Sequence, residues 1–543
     1  MKRVLLIGGY GGFGARLARR LSDGDTHIIV AGRSLAKAQD FAATLPNASG
    51  LAVDRNGDIA AVLAEHRPDL VIDAAGPFQA SSYAVPEACI GARIPYTDLA
   101  DARDFVVDFG DLDAAAKTAG VALVSGASSV PALSGAVVRA LSQAMSRVDA
   151  VDMAINASNR ASSGESVARA ALSYAGQPVW LWRGKRWHAK AGWSELQRVR
   201  FEAPDGTELK GRWLALADIP DHALMPDQLP GKPAVTFRAG TELCFQMTGL
   251  WLASFLVRWK LVRSLERFAP RILPFIRATK NWGGDRSAMH VIVKGRRDGA
   301  PVERRWTLIA EQGDGPEIPT LAAELVARKL LAGALEPGAR DASTTLRLEE
   351  FAPLFDRLAL HHGISETALP SPVYARALGP AYDRLPGAVR AMHDIIADGG
   401  AEGEGTVERG GNPFARLVGA VMRFPPSGTY PLDVDFAESR GKERWTRHFG
   451  AHHFSSELSQ DGDGVIERFG PIRFSFALPS DETGLEMHLR RWTICGIPLP
   501  LALAPCIAAR EWEDEQRRFR FSVAVALPVI GRVVLYQGWL EQS

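Results

Sequence analysis

Five glycines in seven residues, Gly8-Gly9-Tyr10-Gly11-Gly12-Phe13-Gly14, follow directly on the apolar run Val4-Leu5-Leu6-Ile7. Glycine is favoured where backbone turns sharply, adopts positive φ or approaches another group closely, so the cluster predicts a constrained loop. The preceding run has the pattern of a strand buried on both faces of a parallel sheet. Beyond the loop, Ala15 to Leu21 carries apolar residues at helical spacing. Strand, glycine loop and helix in this order build a phosphate cradle. Gly9 turns the chain, Gly11 lets a pyrophosphate approach the backbone, and Gly14 lets helix pack on strand. The N–H groups at the helix start then hold the phosphates.

A second strand, from His27 to Gly32, ends at Arg33 and Ser34. A dinucleotide fold that prefers NAD usually places Asp or Glu there for the ribose 2′-hydroxyl. A guanidinium instead makes bidentate, charge-assisted bonds to a 2′-phosphate, and a neighbouring hydroxyl adds a donor, so the pair points to NADP. The alternation continues through Gly50 to Asp54, a helix over Ile59 to Glu65, Leu70 to Phe78, Cys89 to Asp98 and Val121 to Gly126. Repeated units of this length predict a doubly wound parallel sheet with its ligand over the carboxyl ends of the strands.

The stretches GGYGGFG, Ala31-Gly-Arg-Ser34, Asp54, Ala74-Ala-Gly-Pro-Phe78 and Tyr96-Thr-Asp-Leu99 together resemble the NADP-binding domain of saccharopine dehydrogenase-like proteins. The resemblance implies a Rossmann domain over residues 1–130 that binds NADP. Gly9, Gly11, Gly12, Phe13 and Gly14 would meet the pyrophosphate, Arg33 and Ser34 the 2′-phosphate, and Asp54 the adenine. Ala75, Gly76 and Pro77 would also lie near the cofactor. Tyr96 and Asp98 are the catalytic candidates by resemblance, near the nicotinamide; the plainer roles are packing for Tyr96 and capping of the next helix for Asp98. Ser128 and Ser129 either line the pocket or bond local backbone.

The same resemblance implies an α+β substrate and dimer domain over 131–350 that closes the cofactor cleft, so a homodimer is an open expectation. Its last helix, the amphipathic segment Pro319 to Gly333, would return to the sheet. The stretch Leu250 to Phe268 is too short in its apolar part for the roughly 20 residues of a membrane-spanning helix. Its tryptophans, phenylalanines and arginines fit a helix at a membrane interface, or a long helix in a dimer interface or over the substrate pocket. Both readings favour an apolar or bulky small-molecule substrate.

A separate module is predicted over 371–543, after a linker with Pro337-Gly338 and a charged stretch to Glu350. Tyr374 to Ile396 reads as helix broken at Leu385-Pro386-Gly387, and Gly399 to Gly411 as a loop or strand pair. From Tyr430 the apolar period becomes two, predicting a mostly antiparallel β domain, an open sheet or partly closed barrel able to hold a small apolar ligand. His448, His452 and His453 read as one strand, His448 and His452 on one face, with no ligand-spaced Cys or carboxylate; cross-strand polar pairs are expected and no metal site is predicted. The segments Arg490 to Pro505 and Leu527 to Gly538 resemble an uncharacterised bacterial domain often fused behind saccharopine dehydrogenase-like Rossmann domains.

Lysine plus arginine number 63 against 62 aspartates and glutamates, so no global field favours nucleic acid, and no nucleic-acid role is expected. The four cysteines lack zinc-site spacing and read as reduced and mostly buried. The first residues run straight into the glycine loop without a signal peptide's apolar segment, so a cytoplasmic location is expected. The functional expectation is an NADP-dependent oxidoreductase that transfers hydride to or from a carbonyl, imine or activated alkene. Two alternatives stay open: an NADP(H)-binding sensor or scaffold without turnover, and a peripheral membrane or lipid-binding protein.

Overall fold

The computed structural model describes residues 1–22, 24–160 and 165–542. The short apolar runs of the N-terminal region stack into a seven-stranded parallel sheet. Its order is Ala48–Ala52, Thr26–Gly32, Lys2–Ile7, Leu70–Asp73, Tyr96–Asp98, Ala122–Ser125 and Gly338–Asp341. Val4, Leu5, Leu6 and Ile7 are all buried, alternating between the cores on the two faces of the sheet. The strand order reverses between Lys2–Ile7 and Leu70–Asp73, which opens a crevice at their carboxyl ends. The seventh strand, Gly338–Asp341, lies in what the sequence suggested was a linker. At the sheet's edge its Gly-Ala-Arg-Asp needs no continuous apolar run, which is why the sequence does not advertise it.

The helix expected from Pro319 spans Ile318–Leu331 and packs on the first helix, Gly12–Leu21. Arg20 bridges Glu317 at 2.8 Å and Glu324 at 3.6 Å across that contact. Between sheet and helix the core continues into the middle region without a break. There a second seven-stranded sheet runs Gln197–Glu202, Glu208–Leu216, Ala234–Thr241, Met145–Ala157, Ser287–Arg297, Ala300–Ala310 and Leu360–Ala368. One pair, Ala234–Thr241 with Met145–Ala157, is parallel and the others antiparallel. The middle region is thus α+β.

The single helix suggested over Leu250 to Phe268 is instead a helix Cys244–Arg258, a turn, and a short 3-10 segment Glu266–Phe268 that leads into a helix Ala269–Ala278. After Arg258 the backbone turns through Trp259 and Lys260, and Lys260 takes φ +60°. Burial of Val262, Leu265 and Ala269 against Leu172 and Met247 holds the bend.

The C-terminal module closes on itself. Ten strands form an antiparallel barrel in the order Ile472–Ala477, Gly464–Phe469, His452–Asp461, Lys442–Phe449, Gly428–Ser439, Asp398–Arg409, Gly531–Gln542, Phe519–Leu527, Cys506–Glu513 and Gly484–Ile494, which pairs back to Ile472–Ala477. The expected open sheet or partial barrel is therefore fully closed, which removes its edges. The glycine-rich stretch read as a loop is the long strand Asp398–Arg409. Its glycines admit close neighbours: a Cβ at Gly403 would lie 2.0 Å from the Trp539 carbonyl oxygen, and one at Gly538 2.1 Å from that of Glu404. The three histidines sit on two strands, because the chain turns at 450–451; His448 pairs with His453 and Phe449 with His452. Cys89 is buried as expected, whereas Cys244, Cys495 and Cys506 are exposed. They lie at a helix start or near strand ends, outside the buried stripes.

Charge joins the barrel to the middle region. Arg186, on the strand Arg186–Ala191, meets Asp433 at 2.9 Å and Asp435 at 2.9 Å. Asp394 receives Arg147 at 2.9 Å and also Arg296. The Gly184 N–H donates to Asp398 at 2.8 Å. Every cation stands on one side and every carboxylate on the other. Replacing Asp394 and Asp435 together by lysine is expected to accelerate amide exchange at Gly184 by about tenfold or more, reading the lost contact as local opening. Unchanged exchange there would contradict this account of the junction.

Candidate functional site

The glycine loop folds as its spacing demands. A Cβ on Gly14 would stand 2.2 Å from the Gly8 carbonyl oxygen, and Gly8 itself has φ +77° with the Ala74 backbone 2.8 Å from any Cβ. Helix, first strand and fourth strand therefore touch backbone to backbone. Gly9 and Gly14 are buried in this contact, while Gly11 and Gly12 are exposed above it. The helix starts at Gly12 with Gly11 as its N-cap residue and no side-chain cap, so its first N–H groups are open to an anion. Phe13 turns inward, half-buried against the core.

The neighbouring strand end carries the cationic part. Arg33 is exposed and has no hydrogen-bond or ion-pair partner among the described residues. Ser34 caps the helix Leu35–Ala42, its Oγ accepting from the Lys37 N–H at 3.4 Å, which leaves its own proton to donate. Tyr10 ties the two loops together: its hydroxyl accepts from the Ser34 N–H at 3.1 Å, and its ring lies where a Gly32 Cβ would be, 2.5 Å away. The sequence offered no signal for this role of Tyr10.

Asp54 is exposed after the third strand and accepts from the Asn56 N–H at 3.0 Å. Its neighbour Arg55 reaches inward to Asp73, which is fully buried at the end of the fourth strand, with contacts of 3.1 and 2.9 Å. The same guanidinium donates to Ser81 at 2.7 Å and lies 5.0 Å from the centre of the Phe78 ring. Burial raises the Asp73 pKa against the pull of Arg55. The other Asp73 oxygen accepts from the Ala75 N–H at 2.9 Å, which sets the turn through Ala75, Gly76 and Pro77 at the crevice. Arg55 and Asp73 escaped sequence reasoning because each is embedded in a stretch read for other residues.

Tyr96 and Asp98 lie on the fifth strand and are both fully buried. Tyr96 stacks on Phe109 with ring centres 6.1 Å apart, and its hydroxyl has no partner. Burial, with Asp98 and Asp73 nearby, holds its proton well above the usual phenol range. Asp98 Oδ1 accepts from the N–H groups of Ala100 at 3.0 Å and Gly126 at 2.7 Å, and from Ser125 Oγ at 3.1 Å. It braces the loops after the fifth and sixth strands. Neither side chain reaches the surface of the crevice.

Three residues on, in the loop that follows the fifth strand, stands Asp101. The residue is exposed as a whole, but the protein packed around its carboxyl beside Gln79 raises the pKa. From the middle region Tyr174, half-buried and stacked on Trp193 at 5.5 Å, faces the fields of Asp101 and Asp218, which with burial raise its pKa. Arg103 joins the two walls, donating to the Trp180 carbonyl at 2.6 Å. A small cavity of about 90 Å³ opens where Ser129, after the sixth strand, faces Asn156 and Ser287 of the second sheet. Asn156 Oδ1 is buried there without a partner. Asp101, Tyr174 and Asn156 were missed because no local motif marks residues that only the closing of one sheet on another brings together.

Asp98 titrates near 6 in the folded chain against 3.8 ordinarily, burial outweighing its three hydrogen bonds. The folded state thus binds the extra proton, and stability from this group is present at low pH and lost as pH rises through about 4 to 6. Asp98→Asn keeps the Oδ1 acceptor without the charge. Lowering pH from 7 to 4 is therefore expected to stabilise the wild type relative to Asp98→Asn by up to about 3 kcal/mol, as measured by denaturant unfolding at each pH. A difference independent of pH would refute the buried charged form.

Residues 4–124 match the family described as the saccharopine dehydrogenase NADP binding domain, and residues 385–540 match a domain of unknown function, DUF4166. No curated protein matches the chain. Among solved structures, the chain is similar to apo saccharopine dehydrogenase (L-Glu forming) from Saccharomyces cerevisiae at 14% identity, covering 68% of this chain and 100% of that one, with a TM-score of 0.49. It is also similar to an amine dehydrogenase from Mycobacterium smegmatis, at 11% identity over 63% of this chain and 95% of that one, with a TM-score of 0.33. The chain carries a saccharopine dehydrogenase NADP-binding domain at its N-terminus and, behind the second sheet, that domain of unknown function at its C-terminus.

Proposed function

We propose that the protein is an NADP-dependent oxidoreductase that transfers hydride to or from a carbonyl, imine or activated alkene of an apolar or bulky small molecule. One observation carries the reading: the uncapped helix start at Gly12 stands beside an unpaired Arg33, so pyrophosphate and 2′-phosphate sites lie at adjacent strand ends. Gly11, Gly12 and Gly14 bind the pyrophosphate, and Arg33 with Ser34 the 2′-phosphate. The turn at Ala75 to Pro77, held by Asp73, positions the dinucleotide across the crevice. The cofactor, when bound, supplies the hydride chemistry. The chain's own contribution is orientation and a proton.

For that proton, Asp101 is the assigned carrier, with Tyr174 opposite. Asp101 follows the carboxyl end of the fifth strand and lies within electrostatic reach of Tyr174 from the middle region; its raised pKa keeps more of its carboxyl in the acid form. In the reductive direction the acid form donates, so the rate falls as pH rises through the Asp101 pKa. Asp101→Asn is expected to lower kcat about 100-fold and to abolish that alkaline fall, with NADPH affinity unchanged. A variant that keeps both rate and pH profile would remove Asp101 from the reaction.

Cofactor choice is tested by fluorescence titration with NADPH and NADH. The wild type is expected to prefer NADPH, and Arg33→Asp to weaken NADPH by about 100-fold while leaving NADH within a few-fold. Equal binding of both nucleotides by the wild type would contradict the 2′-phosphate assignment. Tight NADPH binding with no NADPH consumption across aldehydes, ketones, imines and enones would favour the sensor reading.

A second reading, contact with an anionic membrane surface, is supported by the turn after Arg258. Trp259 is 67% exposed and Leu261 66%, and Lys260, Arg263 and Arg267 surround them in solvent. Sedimentation with vesicles containing phosphatidylglycerol, lost in Trp259→Glu/Leu261→Glu, is the expected result. Failure of the wild type to sediment would discard it.

A further inference from the structure

The barrel encloses a cavity of about 320 Å³, within the range of small-molecule sites, and nothing in the cofactor crevice uses it. Its wall is mainly apolar, with Phe474, Phe476, Trp492, Val523 and Val525 among the lining side chains. A barrel of this size could have been filled by its own side chains, as small barrels are. Here the space is left open.

Three charged side chains also line the wall, and each is already partnered. Arg447 donates to Ser456 Oγ at 3.0 Å and approaches Glu467 at 3.6 Å. Glu511 pairs with His393 Nε2 at 2.6 Å, and His393 is fully buried and stacked on Tyr374. Burial raises the Glu467 pKa despite Arg447. An ionic ligand would therefore have to compete with contacts these side chains already make. The cavity does offer two free hydroxyls: Tyr374 is 2% exposed and Tyr536 7%, both line the cavity, and neither hydroxyl has a hydrogen-bond partner among the described residues. Both hydroxyls keep access to the cavity space, so a ligand oxygen there can take up their hydrogen-bonding capacity without breaking an existing bond.

The mouth adds an independent observation. In an antiparallel barrel alternate connections share one end, here 409–428, 449–452, 469–472, 494–506 and 527–531. The helix Pro413–Val421 lies at that end, with Val418 facing the cavity and Phe414 and Leu417 turned outward, 70% and 63% exposed. Ile497, Leu501 and Leu503, from another connection at the same end, are 65%, 57% and 59% exposed. An apolar rim around an apolar cavity suits a guest that arrives from an apolar phase.

We infer that the barrel is a binding site for one uncharged, lipid-like molecule: an aliphatic or isoprenoid chain ending in a hydroxyl or carbonyl oxygen, which the Tyr374 and Tyr536 hydroxyls meet. The site stands apart from the cofactor crevice and does not depend on the reading of that crevice. It gives the module a cargo or substrate-holding role.

The test uses the full chain and the uncharged fluorophore N-phenyl-1-naphthylamine. Saturable binding at one equivalent is expected, with 1-dodecanol or dodecanal displacing the probe at concentrations about tenfold or more below dodecanoate or dodecylamine. Ala509→Trp fills the cavity and should abolish binding; Val523→Phe, a smaller change in the same wall, should weaken it if the first variant does not fold. Tyr374→Phe/Tyr536→Phe should leave probe affinity intact but weaken dodecanol about tenfold or more, the scale of two modest hydrogen bonds lost together. No saturable binding by the wild type, or full affinity in a folded cavity-filled variant, would overturn the site. Stronger displacement by dodecanoate, or dodecanol affinity untouched in the double phenylalanine variant, would overturn the assignment of an uncharged head.

Discussion

The backbone contact of Gly14 on Gly8, with Gly8 on Ala74, is the constraint from which the crevice follows. Any side chain at Gly14 would enter the Gly8 carbonyl. Only because the contact is bare can the first helix start flush with the sheet, its N–H groups pointing over the carboxyl ends where the strand order reverses. The helix then presents Arg16 and Arg20 to Glu317 and Glu324, and so receives the helix Ile318–Leu331 that brings the middle region home. One close packing event thus sets both the phosphate cradle and the wall that faces it.

Around that crevice the molecule spends buried charge on loop geometry. Asp73 and Asp98 are fully buried at the ends of adjacent strands, and each fixes the turn that follows by accepting backbone N–H groups. The two are handled differently. Asp73 has the Arg55 guanidinium, while Asp98 has only neutral donors. Loops held in this way can carry exposed groups such as Asp101 in fixed positions without those groups being part of the packing.

Much of this was legible in the chain. The runs Val4 to Ile7 and Leu70 to Asp73 announce themselves because strands buried on both faces must be continuously apolar, and the glycine loop because no other residue fits its contacts. The period of two after Tyr430 exposed most of the barrel. The sequence hid the strand Asp398–Arg409, since glycines placed for close barrel packing look like a loop, and the edge strand Gly338–Asp341, since an edge needs no apolar run. It also pointed to Tyr96 and Asp98 at the nicotinamide end, both of which are fully buried, and it could not foresee Asn156, which meets Ser129 only through the packing of one sheet against another. Closure of the barrel was likewise invisible, because the pairing of Ile472–Ala477 with Gly484–Ile494 depends on accumulated twist and stagger around the whole sheet.

The most direct test of the central claim is an experimental structure of the protein with NADPH bound. The pyrophosphate is expected on the N–H groups of Gly12, Phe13 and Gly14, the 2′-phosphate on Arg33, and the nicotinamide extended across the crevice toward Asp101 and Tyr174. A dinucleotide bound elsewhere, or one whose nicotinamide lies away from Asp101, would contradict it.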